Sequence, residues 1–66
     1  MNFTWRRDTE FSSEIWDLYV DGEHPAQSWV GKFDRGWTAM GRKVDMKFAT
    51  KQEAQVWVEA MYLLNQ

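Results

Sequence analysis

Residues that could support catalysis are few and scattered along the chain. The sequence contains no cysteine and one histidine, His24, which precedes Pro25 in a segment with the composition of a turn. A nucleophile needs a base and an orienting group beside it, and one histidine cannot make a zinc site alone. We therefore expect His24 to be a solvated loop residue, and we expect no metal or cofactor.

Carboxylates and glycines offer the remaining chemistry. Asp17 lies near Asp21 and Glu23 in the sequence, but we expect a small sheet to provide no enclosed cleft that would desolvate such a pair. The 4 glycines occur singly, so no glycine-rich phosphate-binding loop is present. These patterns predict a protein that is not an enzyme.

The net charge of −2 conceals an asymmetry along the chain. Residues 8–23 carry six acids and no base, whereas residues 32–51 carry six bases and two acids. Opposite charges facing each other across adjacent strands would explain this, at about 0.2 to 1 kcal/mol per exposed pair. The alternative is a basic contact patch, whose members would be Lys32, Arg35, Arg42, Lys43 and Lys47 (the basic set).

The C-terminal segment has the pattern of a capped amphipathic helix. Thr50 and Glu53 form a capping box, which predicts that the helix begins at Lys51 within a helical segment 50–65. An apolar stripe at helical spacing predicts the face that packs on the core: Ala54, Trp57, Val58, Met61 and Leu64. Three further residues lie outside this stripe and are called the helix flank: Val56, Ala60 and Leu63.

Residues 14–49 have the pattern of a β-meander, in which alternating apolar segments are joined by short turns. Loops this short make consecutive strands antiparallel. Residues 1–13 form either an N-terminal arm or an edge strand. Gly36 is expected to take a positive φ in the turn Asp34-Arg35-Gly36. The predicted inward-facing residues are Trp16, Leu18, Val20, Trp29, Phe33, Trp37, Val44, Met46 and Phe48.

Together these elements predict a single α+β domain over residues 1–66. An antiparallel meander of three or four strands is packed on one face by a single C-terminal α-helix. A core of this size rarely supplies more than about 3 to 5 kcal/mol. We expect no signal peptide and no membrane span, because neither an N-terminal apolar segment nor a window of ~20 apolar residues is present.

Two resemblances follow from these motifs. Gly36-Trp37-x-Ala39, together with Phe48-x-Thr50-x-x-Glu53-Ala54-x-x-Trp57, resembles the second half of the sheet-type DNA-binding domains of plant ethylene-response factors and the amino-terminal domains of phage tyrosine integrases. Those families place a three-stranded sheet, backed by a helix, in the major groove. The first strand here departs from them, with acids where those families carry arginines and tryptophans. The whole chain resembles short uncharacterised phage and prophage proteins with an aromatic meander and a C-terminal helix.

The leading functional hypothesis is a non-enzymatic protein-interaction module. The resemblance implies a phage origin, and we expect an accessory protein in the host cytoplasm that binds a host protein or self-associates, with a two-fold homodimer as the simplest form. Ten apolar residues remain outside the predicted core: Phe3, Trp5, Phe11, Ile15, Tyr19, Val30, Met40, Val56, Tyr62 and Leu63. Such a surplus is typical of a contact surface. The predicted surface consists of Val56, Ala60, Leu63, Tyr19, Val30 and Met40.

Two alternatives stay open from the sequence. The N-terminal arm, through Phe3, Trp5 and Phe11, could cover the helix flank within one chain. The alternative function is sheet-based nucleic-acid binding through the basic set, with Tyr19 or a tryptophan stacking on a base.

Overall fold

The computed structural model describes residues 2–10, 12–22, 24–41 and 44–64, with the backbone alone described at 24–27. These ranges form five antiparallel strands in one open sheet, packed against one C-terminal helix, which confirms the α+β prediction. The elements are β1 (Phe3–Asp8), β2 (Ile15–Val20), β3 (His24–Phe33), β4 (Gly36–Met40), β5 (Asp45–Phe48) and α1 (Lys51–Leu64). The strands lie side by side in chain order, as a meander requires, and number five, whereas three or four were predicted.

The additional strand is β1, so the N-terminal segment is an edge strand rather than a free arm. It pairs with β2 along its whole length, from Phe3 opposite Val20 to Asp8 opposite Ile15. The pairing continues past β2, where the Asp21 N–H donates to the Asn2 carbonyl oxygen at 2.8 Å. Phe11, which belongs to the predicted arm, lies outside the described residues.

The start of α1 follows the predicted cap. The Thr50 hydroxyl oxygen accepts the Glu53 N–H at 3.2 Å, and the hydroxyl donates to Glu53 Oε1 at 3.0 Å. The helix therefore begins at Lys51, and the glutamate holds the capping hydroxyl rather than the backbone N–H of Thr50. Its 14 residues are fewer than the ~20 that cross a bilayer, and no helix among the described residues is long and apolar enough to do so.

The core is built from small side chains at its centre and aromatic rings around them. Val30 and Ala39 of the sheet meet Ala54 and Val58 of α1, and all four are buried together with Leu18. Small side chains let the helix lie close to the sheet. The large rings then fill the sides of the contact: Phe3, Trp5, Trp16, Trp37, Phe48, Trp57 and Tyr62.

The faces of β3 are reversed relative to the prediction. Directly paired residues share a face of a sheet, and Val30 pairs with Ala39, so both lie on the face covered by α1 (the covered face). Trp29, predicted to be inward, pairs with Asp17 and lies with Phe33 on the other face (the open face). The alternation of β3 is as predicted, but both of its sides are apolar, so the pattern did not indicate which side faces the helix.

The last strand and the end of the helix contribute less to the core than predicted. Val44 precedes β5 and is exposed. Met46 is exposed too, because β5 is an edge strand and α1 covers only its final residue. That residue is Phe48, whose ring centroid lies 6.0 Å from that of Trp57. Leu64, at the last position of α1 and the edge of its stripe, is 77% exposed.

The β3–β4 turn and the start of β3 differ from the prediction. Asp34, not Gly36, takes the positive φ of the β3–β4 hairpin, at 53°. Gly36 is instead the first residue of β4, where a Cβ atom would lie 2.9 Å from the Phe48 carbonyl oxygen. The other difference is that β3 begins at His24, so the backbone of His24 belongs to a strand and not to the predicted loop. The β2–β3 register shifts between the Asp17–Trp29 and Tyr19–Pro25 pairs, because four steps along β3 face two along β2, and Pro25 lies beside this irregularity, where strands tolerate proline.

We expect Gly36→Ala to destabilise the protein by about 1 to 3 kcal/mol, because its Cβ would meet a backbone atom that cannot rotate away. Gly41→Ala is the matched control, since a Cβ there meets Val44 and Trp57 at ordinary distances of 3.5 and 3.6 Å. Urea unfolding of the two variants measures the difference. Equal urea midpoints for the two variants would show that β4 and β5 can move apart enough to accommodate a Cβ atom at position 36.

Candidate functional site

The helix flank is exposed on the side of α1 that faces away from the sheet. Val56 is 59% and Leu63 is 53% exposed, and Ala60 is exposed between them. Leu64 extends this apolar row to the end of the helix. Because exposed apolar residues this closely grouped are less common than single ones, the row is a candidate contact surface.

A shallow groove continues this surface toward β5. It encloses about 590 Å³ and is lined by Phe48, Gln52, Glu53, Val56, Trp57 and Ala60. Exposed Met46 lies on the same strand as Phe48. The exposed apolar surface therefore reaches from the helix flank to the β5 edge, and it includes Met46, which the sequence pattern had placed in the core. Trp57 packs on the core as predicted and shows only part of its ring in the groove.

The N-terminal strand packs on the opposite side of α1. The Trp5 indole N–H donates to Glu59 Oε2 at 2.8 Å, and the Phe3 ring meets Tyr62 edge-on with centroids 5.8 Å apart. Phe3 and Trp5 thus reach the helix from β1 without covering the helix flank. For these two residues, the alternative in which the arm covers the flank is wrong.

The predicted surface residues of the sheet do not join the helix flank. Val30 is 0% exposed and cannot contact a partner, so its assignment to the surface is wrong. Tyr19 and Met40 lie on the open face, on β2 and β4, and both are half-buried. The Arg6 guanidinium lies 4.4 Å above the Tyr19 ring and donates to the Gly22 carbonyl oxygen.

The basic set does not form one surface among its described members. Lys32 pairs with Trp37 and lies on the covered face, whereas Lys47 pairs with Thr38 on the open face. Arg35 lies in the β3–β4 turn. Arg42 and Lys43 lie outside the described residues.

A different group of cations does come together at the end of the sheet where α1 begins. Trp16 donates its indole N–H to Glu14 Oε2 at 2.8 Å, and the Lys51 amino group lies 4.3 Å above the Trp16 ring. The Trp16 hydrogen bond, aided by the charges of Arg7, Lys51 and Lys32, holds the pKa of Glu14 below its usual value. Arg7, Lys32 and Lys51 are called the cation cluster. Only Lys32 was among the predicted basic residues.

An acid pair lies on the open face. Burial raises the pKa of Asp17, and the charge of Asp8 and a hydrogen bond between the two carboxyl groups raise it further. Asp8 also accepts the Glu10 N–H at 2.9 Å. The sequence had suggested Asp21 and Glu23 as neighbours of Asp17. The β1–β2 pairing places Asp8 beside it, and Glu23 lies outside the described residues. Within the described residues, no three histidine, aspartate or glutamate side chains are grouped as a metal site.

No protein-family model, curated protein or solved structure matches this chain. The resemblances to sheet-type DNA-binding domains and to phage proteins therefore stay predictions. The exposed surfaces, the cation cluster and the acid pair are the observations from which a function can be argued.

The acid pair gives a pH dependence whose sign is defined. Because the folded protein binds the Asp17 proton more tightly than the unfolded chain, stability is fully present below the ordinary pKa of 3.8 and is lost as pH rises through the raised pKa. We expect the free energy of unfolding of wild type to fall relative to Asp17→Asn across this range. Urea unfolding over a pH series measures it, with Asp45→Asn as the control for loss of one charge on the same face. Parallel curves for wild type and Asp17→Asn would contradict the coupling.

Proposed function

We propose that this protein is a non-enzymatic interaction module that packs its helix flank against a second protein chain. The observation that supports this most strongly is the continuous apolar surface from Leu63 and Val56 to Phe48 and the β5 edge. Nothing within the described chain covers this surface, since β1 packs on the other side of α1.

The simplest partner is a second copy related by a two-fold axis. Such an interface is self-complementary, and an exposed apolar row on one helix can pack against the same row of its copy. A standard interface buries about 800 Å² of each partner. This is a large share of the 4759 Å² accessible surface, so both the helix flank and the β5 groove would have to take part.

A host protein is the other partner of this class. The resemblance to phage and prophage proteins motivates this proposal, in which the protein acts in the cytoplasm of the host cell. The same apolar surface would be used, because it is the one that a small core leaves uncovered.

We expect wild type to sediment as a dimer at micromolar concentration and the Val56→Lys, Leu63→Lys double variant to sediment as a monomer. Both side chains are more than half exposed, so the double variant should keep its stability within about 0.5 kcal/mol. Thr4→Lys, Thr9→Lys is the control, because it adds the same charge at exposed positions away from α1. Unfolding of the flank variant would show that these residues stabilise the monomer instead.

A wild type that is monomeric at every concentration would exclude self-association. A photo-crosslinking residue at position 56, compared with one at position 4, then distinguishes a host partner. Adducts formed in host cells from position 56 alone support the proposal, and their absence at both positions contradicts it.

Nucleic-acid binding is the second candidate, favoured by the cation cluster beside the Trp16 ring. Backbone phosphates bind grouped arginine and lysine side chains, and bases stack on aromatic rings. The open face is a poorer candidate, because Asp8, Asp17 and Asp45 would repel phosphates there. For this candidate function we therefore propose the cation cluster, beside the start of α1, in place of the basic set predicted from the sequence.

We expect Arg7→Gln, Lys51→Gln to lower the affinity for a random single-stranded oligonucleotide and to flatten the salt slope by about 1.4 units, since each lost phosphate contact changes it by ~0.7. Fluorescence anisotropy over a salt series measures both quantities. Lys47→Gln, on the open face, is the control for loss of positive charge. No binding by wild type at about 50 mM salt, where non-specific binding is strong, would exclude this candidate.

A further inference from the structure

The open face carries a groove that the helix-flank proposal does not use. It encloses about 400 Å³, within the ~300 to 1,000 Å³ range of ligand pockets. It lies on the side of the sheet opposite α1. The residues that line it are Asp8, Ser12, Ser13, Ile15, Asp17, Trp29 and Phe33.

Aromatic rings form one wall of the groove. Trp29 and Phe33 meet edge-on over Gly31, with ring centroids 6.2 Å apart and planes at 69°. A Cβ atom on Gly31 would lie 2.6 Å from the Phe33 ring, so the glycine is what allows the rings to close over the strand. Ile15 is buried beside them. This wall is apolar and presents aromatic faces and edges.

Acids form the other end of the groove. Asp8 and Asp17 both line the groove, and no base is among the described residues that line it. Arg6 pairs directly with Asp17 in the sheet, yet its guanidinium donates to the Gly22 carbonyl oxygen and lies over Tyr19. The described contacts of the Arg6 guanidinium are therefore with Gly22 and Tyr19.

A ligand complementary to this groove has an apolar stem and a cationic end. Arginine and lysine side chains have this form, with methylene groups that pack on apolar surface and a charged head that reaches a polar one. The head would gain charge-assisted hydrogen bonds from two carboxyl groups and attraction to the aromatic faces. An anionic ligand would be repelled by the same carboxylates.

We propose that the open-face groove binds an arginine or lysine side chain presented by a peptide segment of a partner protein, with its stem along Trp29 and Phe33 and its charged head at Asp8 and Asp17. This site is independent of the helix flank, because it lies on the opposite face of the sheet. A partner could thus be held at the groove whether or not α1 mediates association.

The test is a titration of ¹⁵N-labelled protein with capped tripeptides that differ only in the central residue: arginine, lysine, citrulline or glutamate. Citrulline keeps the shape of arginine without its charge. We expect arginine and lysine peptides to shift the Trp29 indole and Gly31 amide signals, with citrulline binding about tenfold more weakly and glutamate not binding. Equal binding of arginine and citrulline, or shifts confined to other residues, would overturn the proposal.

Variants of the acid pair complete the test. Asp17→Asn should weaken arginine binding about tenfold while the protein stays folded, since removal of this carboxylate relieves the repulsion from Asp8. Unchanged Trp5 and Trp57 indole signals verify the fold. Asp45→Asn, which removes an acid on the same face but outside the groove, should leave the affinity unchanged. An equal loss in both variants would show that only general charge attraction operates.

Discussion

The close contact between α1 and the sheet is the interaction on which the rest of this structure depends. Its centre consists of Val30 and Ala39 of the sheet and Ala54 and Val58 of α1, which are buried together with Leu18 and Val20. Close packing of this kind leaves no room for a tryptophan at the centre, so the large rings lie around the margin. Those rings in turn position the groove beside β5 and hold β1 in place through Trp5 and Glu59.

Much of this fold could be predicted because its signals are local. The capping box at Thr50 and Glu53 determines where the helix begins, and short turns determine that the strands are antiparallel. The facing of β3 could not be predicted, because both of its sides are apolar and the choice depends on which side fits beneath α1. β1 was uncertain for another reason, since only its pairing with β2 distinguishes a strand from an arm.

The candidate sites likewise differ in whether local sequence patterns could predict them. Val56, Ala60 and Leu63 could be grouped from helical spacing alone, because residues three or four apart share a side of a helix. The open-face groove joins Asp8, Asp17 and Phe33 from three strands, and the cation cluster joins residues from β1, β3 and α1. No local pattern brings such residues together, so strand register had to be known first. Tyr19 and Met40 were grouped with the helix flank only because all were apolar.

The order of the strands has a consequence for how the chain folds. Every strand pairs with its neighbour in sequence, so the hairpins can form from local contacts, which is typical of rapid folding. None of those hairpins can bury its apolar face, however, until Ala54 and Val58 arrive from the C-terminal end of the chain. The sheet therefore cannot complete its core alone: until α1 packs on it, Trp5, Trp16 and Trp37 stay exposed to water on the face that the helix later covers.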